Sequence, residues 1–174
     1  MEINTDPYAH HPIPFSREVE FPQVIISYAT KSRGGNGKED MWAVANVLRE
    51  NGITSFNGCQ VKAGENWQEG WYGRMSKAQA AILLLSPEYF DSDSCVQECS
   101  AILKSGMKAF PVQYGMPDTK GDFLGDENDK VLTAGLIKQK LGNVYPPPDQ
   151  GSFHDDFPSH AKRLMELVSE KLDV

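Results

Sequence analysis

The chain has 174 residues, of which 40% are hydrophobic and 24% are charged, a composition that suits one globular domain with a single core. Its formal net charge of −7 argues against nucleic acid or an anionic membrane as the main partner. Its three cysteines lack the spacing of a disulfide scaffold, and no apolar run approaches the roughly 20 residues of a membrane span, so we expect a cytoplasmic protein.

Residues 1–21 contain three prolines and no periodicity, and we interpret them as an extended arm or linker. Val24–Tyr28 is rich in β-branched and aromatic residues, which favours a first strand. The loop that follows, residues 29–37, is basic and rich in glycine, and it lies between a strand and a helix, where backbone N–H groups can bind phosphate. Neither the P-loop nor the dinucleotide fingerprint is complete, so a plain flexible loop is the alternative.

Beyond this loop, apolar runs of strand length alternate with amphipathic stretches of helix length, an order that predicts a parallel sheet with helices on both faces. One strand contains Pro111, which on its own argues against a central, fully bonded position for that strand. An acidic loop at residues 114–129 lacks the alternating ligand spacing of a calcium site, and we expect no metal. The predicted elements are helix 39–50, strand 53–56, helix 67–77, strand 81–85, helix 94–105, strand 108–113, helix 130–141, strand 144–145 and helix 158–172.

The most informative stretch leads from the strand at 81–85 into the helix at 94–105. Both faces of the strand are apolar, which is typical of a strand buried between two layers of helix. Ser94, followed three residues later by Gln97, predicts a capping box with Ser94 as the N-cap. Glu98 then lies in the first turn, about 100° from the centre of the buried face, by helical geometry. This boundary position is near the carboxyl end of a strand, where ligand crevices form in open α/β sheets. The alternative is a solvated glutamate that the helix dipole stabilises.

The order and spacing of four segments resemble those of the TIR domain, the Toll/interleukin-1 receptor family: residues 24–28, 52–67, 82–98 and 110–112. In that family the last of these segments is the fourth strand, so a proline is acceptable there. The resemblance covers about residues 22–173 and implies a TIR domain over residues 22–174. It also implies a flavodoxin-like α/β fold, a three-layer sandwich with a parallel five-stranded sheet in the order 2-1-3-4-5.

Part of this family cleaves NAD+, and Glu98 matches the glutamate that this enzyme class carries in the helix after the third strand. With the strand order above, the crevice lies between strands one and three. By resemblance we place Tyr28 at the crevice floor, Lys31 and Arg33 near the pyrophosphate, and Trp67 against the nicotinamide or ribose. Each of these four side chains has a structural alternative, as a core aromatic residue or as a solvated charge.

The chemistry of NAD+ cleavage explains why a carboxylate is needed. Breaking the nicotinamide–ribose bond develops positive charge on the sugar, which a fixed carboxylate stabilises, alone or by holding the ribose hydroxyls. Nicotinamide is already a good leaving group, so no metal or cofactor is expected and NAD+ is the substrate. The acceptor is water or the adenine of the substrate itself, which gives ADP-ribose or a cyclic product. The resemblance places such an enzyme in immune or cell-death signalling.

Two positions depart from the pattern of the enzyme class: Ser94 stands where that class often has tryptophan, and Asn57 where it often has aspartate. A second class therefore stays open, a non-catalytic TIR scaffold that acts through contacts with copies of itself or with other TIR domains. TIR enzymes are also active as multimers, in which the BB loop meets a neighbouring protomer. Here the BB loop is residues 57–66, and Val61 and Gly64 are our candidates for the contact, since an exposed apolar residue can anchor a partner.

Overall fold

The structure, a computed structural model, describes residues 21–60, 64, 66–115 and 144–172. The predicted N-terminal arm apart from Phe21, the predicted helix at 130–141 and most of the acidic loop lie outside these described residues. Within them, no helix is long and apolar enough to cross a membrane. The described strands and α-helices are β1 (Val24–Tyr28), α1 (Ser32–Gly35), α2 (Gly37–Glu50), β2 (Ser55–Phe56), α3 (Trp67–Met75), β3 (Ala80–Leu85), α4 (Pro87–Phe90), α5 (Asp93–Ser105), β4 (Lys108–Gln113) and α6 (Phe157–Lys171).

The described strands form one parallel sheet in the order β2-β1-β3-β4, which confirms the predicted α/β class. The five-stranded sheet is not found in this part of the chain. At the predicted fifth strand, Tyr145 makes an isolated parallel bridge with Val112. Three prolines follow Tyr145 directly, and because proline has no N–H to donate, the ladder does not extend past the bridge.

Pro111 fits into β4 because its nitrogen, which carries no hydrogen, faces away from β3. The N–H of Tyr114 donates to the carbonyl of Leu85 on β3 at 2.7 Å, whereas the carbonyl of Pro111 accepts from Tyr145 on the opposite side at 2.9 Å. In a strand, the N–H and C=O of one residue point to the same side, so the nitrogen of Pro111 also faces Tyr145. The proline therefore breaks no hydrogen bond between β3 and β4.

Helices cover both faces of the sheet and bury two separate apolar clusters. On one face, α2 and α6 pack against β1 and β3, around Met41, Leu48 and Leu164. On the other face, α3, α4 and α5 pack around Trp71, Tyr89 and Ile102. Every residue of β3 is buried, as its two apolar faces predict. The carboxyl ends of β1 and β3 lie side by side at one end of the sheet, between these two layers of helix.

Gly37, the first residue of α2, lies so close to the loop before it that a side chain does not fit. A Cβ atom at Gly37 would lie 1.8 Å from the carbonyl oxygen of Ala29, which is backbone and cannot turn aside. We expect Gly37→Ala to lower the free energy of unfolding by about 1–3 kcal/mol, the usual cost of overpacking. Urea unfolding measures this change directly.

The matched control is Gly73→Ala in the middle of α3. A Cβ atom there meets nothing within 4 Å. Because alanine is the better helix former, this variant should be more stable than the wild type by about 0.5–1 kcal/mol. An unchanged stability of the Gly37→Ala variant would show that the loop before α2 yields easily.

Candidate active site

A cavity of about 600 Å³ opens at the carboxyl ends of β1 and β3, within the size range of small-molecule sites. Its walls come from the loop after β1, the turn at 58–60, the first turns of α3, the segment around α4, and α5. Four of the five crevice residues that the sequence predicted line it together: Tyr28, Lys31, Trp67 and Glu98.

Glu98 lies deeper than the sequence predicted. Helix α5 begins at Asp93, and its N-cap is Ser92, whose hydroxyl accepts from the N–H of Cys95 at 3.3 Å. The prediction of Ser94 as N-cap was therefore wrong, because both serines can cap and the sequence does not separate them. Glu98 consequently lies in the second turn, only 5% exposed, and not at a boundary position. The neighbouring strand β1 covers it.

The carboxylate of Glu98 is held by a chain of buried hydroxyl groups. Ser27 on β1 donates to Oε1 of Glu98 at 2.7 Å, and the hydroxyl of Tyr89 on α4 lies 2.7 Å from Oγ of Ser27. Ser27 and Tyr89 are both fully buried. Ser27 has one proton and gives it to the carboxylate, so the tyrosine hydroxyl is the donor in the second hydrogen bond.

Burial raises the pKa of Glu98 from 4.5 to about 7, although the hydrogen bond from Ser27 acts to lower this pKa. Burial disfavours the charged form of a carboxyl group, whereas a donor that points at the carboxylate favours it. Near neutral pH the side chain of Glu98 is therefore divided between the ionised and the protonated form. A carboxyl group of this kind, facing a cavity, is typical of a functional site.

The side chains of Tyr28 and Trp67 form two aromatic walls of the cavity. The hydroxyl of Tyr28 lies 2.9 Å from Sγ of Cys59, which joins the end of β1 to the turn at 58–60. A Cβ atom on Gly58 would lie 3.1 Å from Nε1 of Trp67, so the same turn also lies against the indole. Trp67 remains 39% exposed, which leaves part of its ring free to contact a ligand.

Arg33, in contrast, does not line this cavity, and we correct its assignment to the pyrophosphate. Its guanidinium makes two hydrogen bonds to the carboxylate of Asp40 on α2, at 2.8 and 2.9 Å. The predicted open loop instead contains the short helix α1, within which Arg33 has a left-handed backbone with φ of 49°. This conformation accompanies the ion pair with Asp40, and of the two predicted basic residues only Lys31 lines the cavity.

Ser27 and Tyr89, the two residues that hold Glu98, were not among the predicted site residues. Strand alternation puts Ser27 on the same face as Ile25, among apolar residues. A polar side chain at such a position needs a buried partner, and this requirement was the available clue. For Tyr89 the sequence offers no comparable clue, because a buried tyrosine is ordinary in a core.

The two assembly candidates lie on the loop before α3. Val61 lies outside the described residues. Gly64 is exposed and has a φ of +83°, and a Cβ atom there would meet nothing within 4 Å. The requirement for glycine at this position is therefore conformational and not steric.

Comparison with known proteins adds the following findings. The sequence model of the family described as TIR domain matches residues 24–132, which is more than half of the chain. The fold is similar to that of a solved structure described as the activated Roq1 resistosome directly recognizing the pathogen effector XopQ (TIR domains). The two chains are 19% identical with a TM-score of 0.67, and the similarity covers 84% of this chain and 99% of the other. No curated protein matches the chain significantly.

Proposed function

This chain belongs to the TIR domain family, and we propose that it is an NAD+ nucleosidase that cleaves the nicotinamide–ribose bond in cytoplasmic immune or cell-death signalling. We assign the catalytic domain to residues 22–174. The observation that carries the proposal is Glu98, a buried carboxyl group that lines a ligand-sized cavity and matches the glutamate of the NAD+-cleaving class. No cofactor is required, because NAD+ itself is the substrate.

In the proposed reaction, the bond between the ribose C1′ and the nicotinamide nitrogen breaks, and its electron pair leaves with neutral nicotinamide. Positive charge then develops on the ribose, and the ionised carboxylate of Glu98 stabilises it. Water or the adenine of the same molecule adds to C1′. A proton is lost in the water reaction, and Glu98, with a pKa of about 7, is suited to accept it.

The other cavity residues suit the remaining parts of NAD+. Tyr28 and Trp67 offer aromatic surface to the nicotinamide and the ribose, while Lys31 offers a positive charge to the pyrophosphate. The carboxylates of Glu88 and Asp91 also line the cavity, and we place the cationic nicotinamide ring on their side.

Incubation of NAD+ with concentrated protein, followed by chromatography of the products, tests the proposal. We expect nicotinamide together with ADP-ribose or a cyclic form of it. If NAD+ stays intact at every protein concentration, the nucleosidase proposal fails.

Trp67→Ala should raise the KM for NAD+ by about tenfold, since one stacked aromatic contact contributes roughly 1 kcal/mol or more. The effect on kcat should be smaller, because the indole contributes to binding of NAD+ and carries no charge that could stabilise the cationic ribose. Phe21→Ala is the matched control: Phe21 is the other large exposed aromatic residue that the structure describes, at 58% exposure, and it packs on Lys77 outside the cavity. Steady-state kinetics of both variants decide whether Trp67 binds substrate, and equal KM values would exclude that role.

Two departures from the enzyme pattern favour a second candidate function, a non-catalytic scaffold that binds other TIR domains. Ser94 presents a small side chain to the cavity where the enzyme class often has tryptophan. Asn57 is fully buried and accepts from the N–H of Cys59 at 2.9 Å, so it serves the local turn. For either function we propose homo-oligomers through TIR–TIR contacts that include the BB loop. The similar fold of the Roq1 resistosome TIR domains supports this proposal.

A further inference from the structure

We infer that Ser27 and Tyr89 are positioning residues that hold one oxygen of Glu98 from behind and leave its other oxygen to act on the substrate. The inference rests on the proposed function. The three side chains come from β1, α4 and α5, and they meet on the sheet face that α3 to α5 cover. Across the described residues, Ser27 is the hydrogen-bond partner that the structure gives to Glu98, and its hydroxyl contacts Oε1.

When Glu98 is ionised, the hydroxyl groups of this chain donate in one direction, toward its carboxylate. Burial raises the pKa of Tyr89 well above its ordinary value, so its hydroxyl stays protonated and remains a donor throughout the neutral range. Tyr89 donates to Ser27, and Ser27 donates to Glu98. Successive donors polarise one another, and they strengthen the hydrogen bond at the charged end of the chain. The chain therefore favours the ionised form of Glu98 and opposes the effect of burial.

Two other titratable groups that interact with Glu98 add no charge near pH 7. Burial raises the pKa of Tyr72 on α3, with a further contribution from the charge of Glu98, and burial raises the pKa of Cys99 on α5 to about 12. Both groups are therefore neutral near pH 7. The remaining titratable groups at the cavity are Lys31 in the loop after β1, Cys59 in the turn at 58–60, Glu88 on α4, Asp91 after it, Cys95 on α5, and Tyr28 on β1.

Removal of the Ser27 hydroxyl removes the hydrogen bond that lowers the pKa of Glu98, while the burial that raises this pKa remains. In Ser27→Ala we expect the titration midpoint of Glu98 to rise by about one pH unit, the size of a single hydrogen bond to a carboxylate. At pH 7 the ionised fraction then falls about fivefold. The acidic limb of the kcat/KM profile should move to higher pH by the same amount, and activity should return at alkaline pH. Tyr89→Phe acts one hydrogen bond further away, so its midpoint should move in the same direction by less.

The test is a titration of the Glu98 carboxyl by NMR in protein labelled with ¹³C-glutamate, with Glu98→Gln to assign the signal. Ser105→Ala is the control, because Ser105 lies at the far end of α5 and its hydroxyl donates to the carbonyl of Ile102. We expect higher midpoints in Ser27→Ala and Tyr89→Phe, and an unchanged midpoint in the control.

The titration needs no turnover, so its outcome is separate from that of the proposed function. Raised midpoints in a protein that does not cleave NAD+ would refute the nucleosidase and leave the hydroxyl chain in place. Midpoints that stay unchanged or fall in the Ser27 variant would overturn the inference, whatever the activity. If Ser27→Ala does not fold, Tyr89→Phe decides alone, because it keeps the aromatic ring and removes only the hydroxyl donor. An unshifted midpoint of Glu98 in that variant would overturn the inference.

Discussion

Glu98→Gln is expected to lower the turnover of NAD+ by about a hundredfold to a thousandfold, the usual loss when a group that stabilises transition-state charge is removed. Glutamine has nearly the shape of glutamate and still accepts the hydrogen bond from Ser27. It carries no charge at any pH, however, and so cannot stabilise the cationic ribose. The fold should therefore persist while the reaction fails.

Glu88→Gln is the matched control for this variant. Glu88 lies on α4 and lines the same cavity, so its replacement removes the same charge from the same space. We expect turnover within about tenfold of the wild type, because a partly exposed carboxylate stabilises charge weakly. If both variants lose turnover equally, the negative field of the cavity is responsible and Glu98 has no special part. Turnover by single-time-point chromatography at saturating NAD+ separates these cases.

Glu98→Gln should also make the protein more stable than the wild type at alkaline pH. The pKa of Glu98 is about 7 in the folded protein, against 4.5 ordinarily, so ionisation favours the unfolded chain. This destabilisation is absent below pH 4.5, grows between pH 4.5 and 7, and is complete above pH 7. Above pH 7, Glu98→Gln should raise the free energy of unfolding by about 3 kcal/mol. Urea unfolding of both proteins at pH 5 and pH 8 measures it, and a difference that does not grow with pH would contradict the buried position of Glu98.

The second large effect concerns assembly. If the BB loop completes the site in a neighbouring protomer, activity should rise faster than linearly with protein concentration. Gly64→Pro should then lower both association and NAD+ cleavage, while the isolated domain still folds. The reason is conformational: Gly64 has a φ of +83°, whereas proline fixes φ near −65° and removes a backbone donor.

Gly64→Asn provides the control for the assembly experiment. Asparagine tolerates the left-handed region better than other residues with a side chain, and the space around Gly64 is open. This variant should keep most of its association. Specific activity across a dilution series, with mass from light scattering on the same samples, gives the answer. A strictly monomeric wild type with constant specific activity would refute the assembly requirement, even if Glu98 proves catalytic.

The sequence predicts the layers of this fold well, because each of them depends on local pattern. Val24–Tyr28 and Lys108–Gln113 have the bounds that their composition indicated. The left-handed Gly106 ends α5, as a glycine at a helix end predicts. The fifth strand is not confirmed within the described residues, where Tyr145 makes an isolated bridge and a run of prolines follows it.

The candidate site was only partly predictable, because its chemistry depends on contacts between distant segments. The position of Glu98 in the chain indicated a crevice, but its burial results from β1, 71 residues earlier in the sequence. The ion pair of Arg33 with Asp40 accompanies a left-handed backbone within α1, which a basic composition does not reveal. Ser27 was the recoverable clue, because it is a serine on the same strand face as the buried Ile25.

Whether the cavity around Glu98 cleaves NAD+ is decided by one side-by-side reaction. Wild-type protein and Glu98→Gln, both at the highest soluble concentration, are incubated with NAD+ at pH 7.5, and released nicotinamide is quantified by chromatography. We expect nicotinamide to accumulate with the wild type and to fall to about a hundredth or less with the folded variant. Equal release of nicotinamide by both proteins, or no release by the wild type, would refute the proposed reaction.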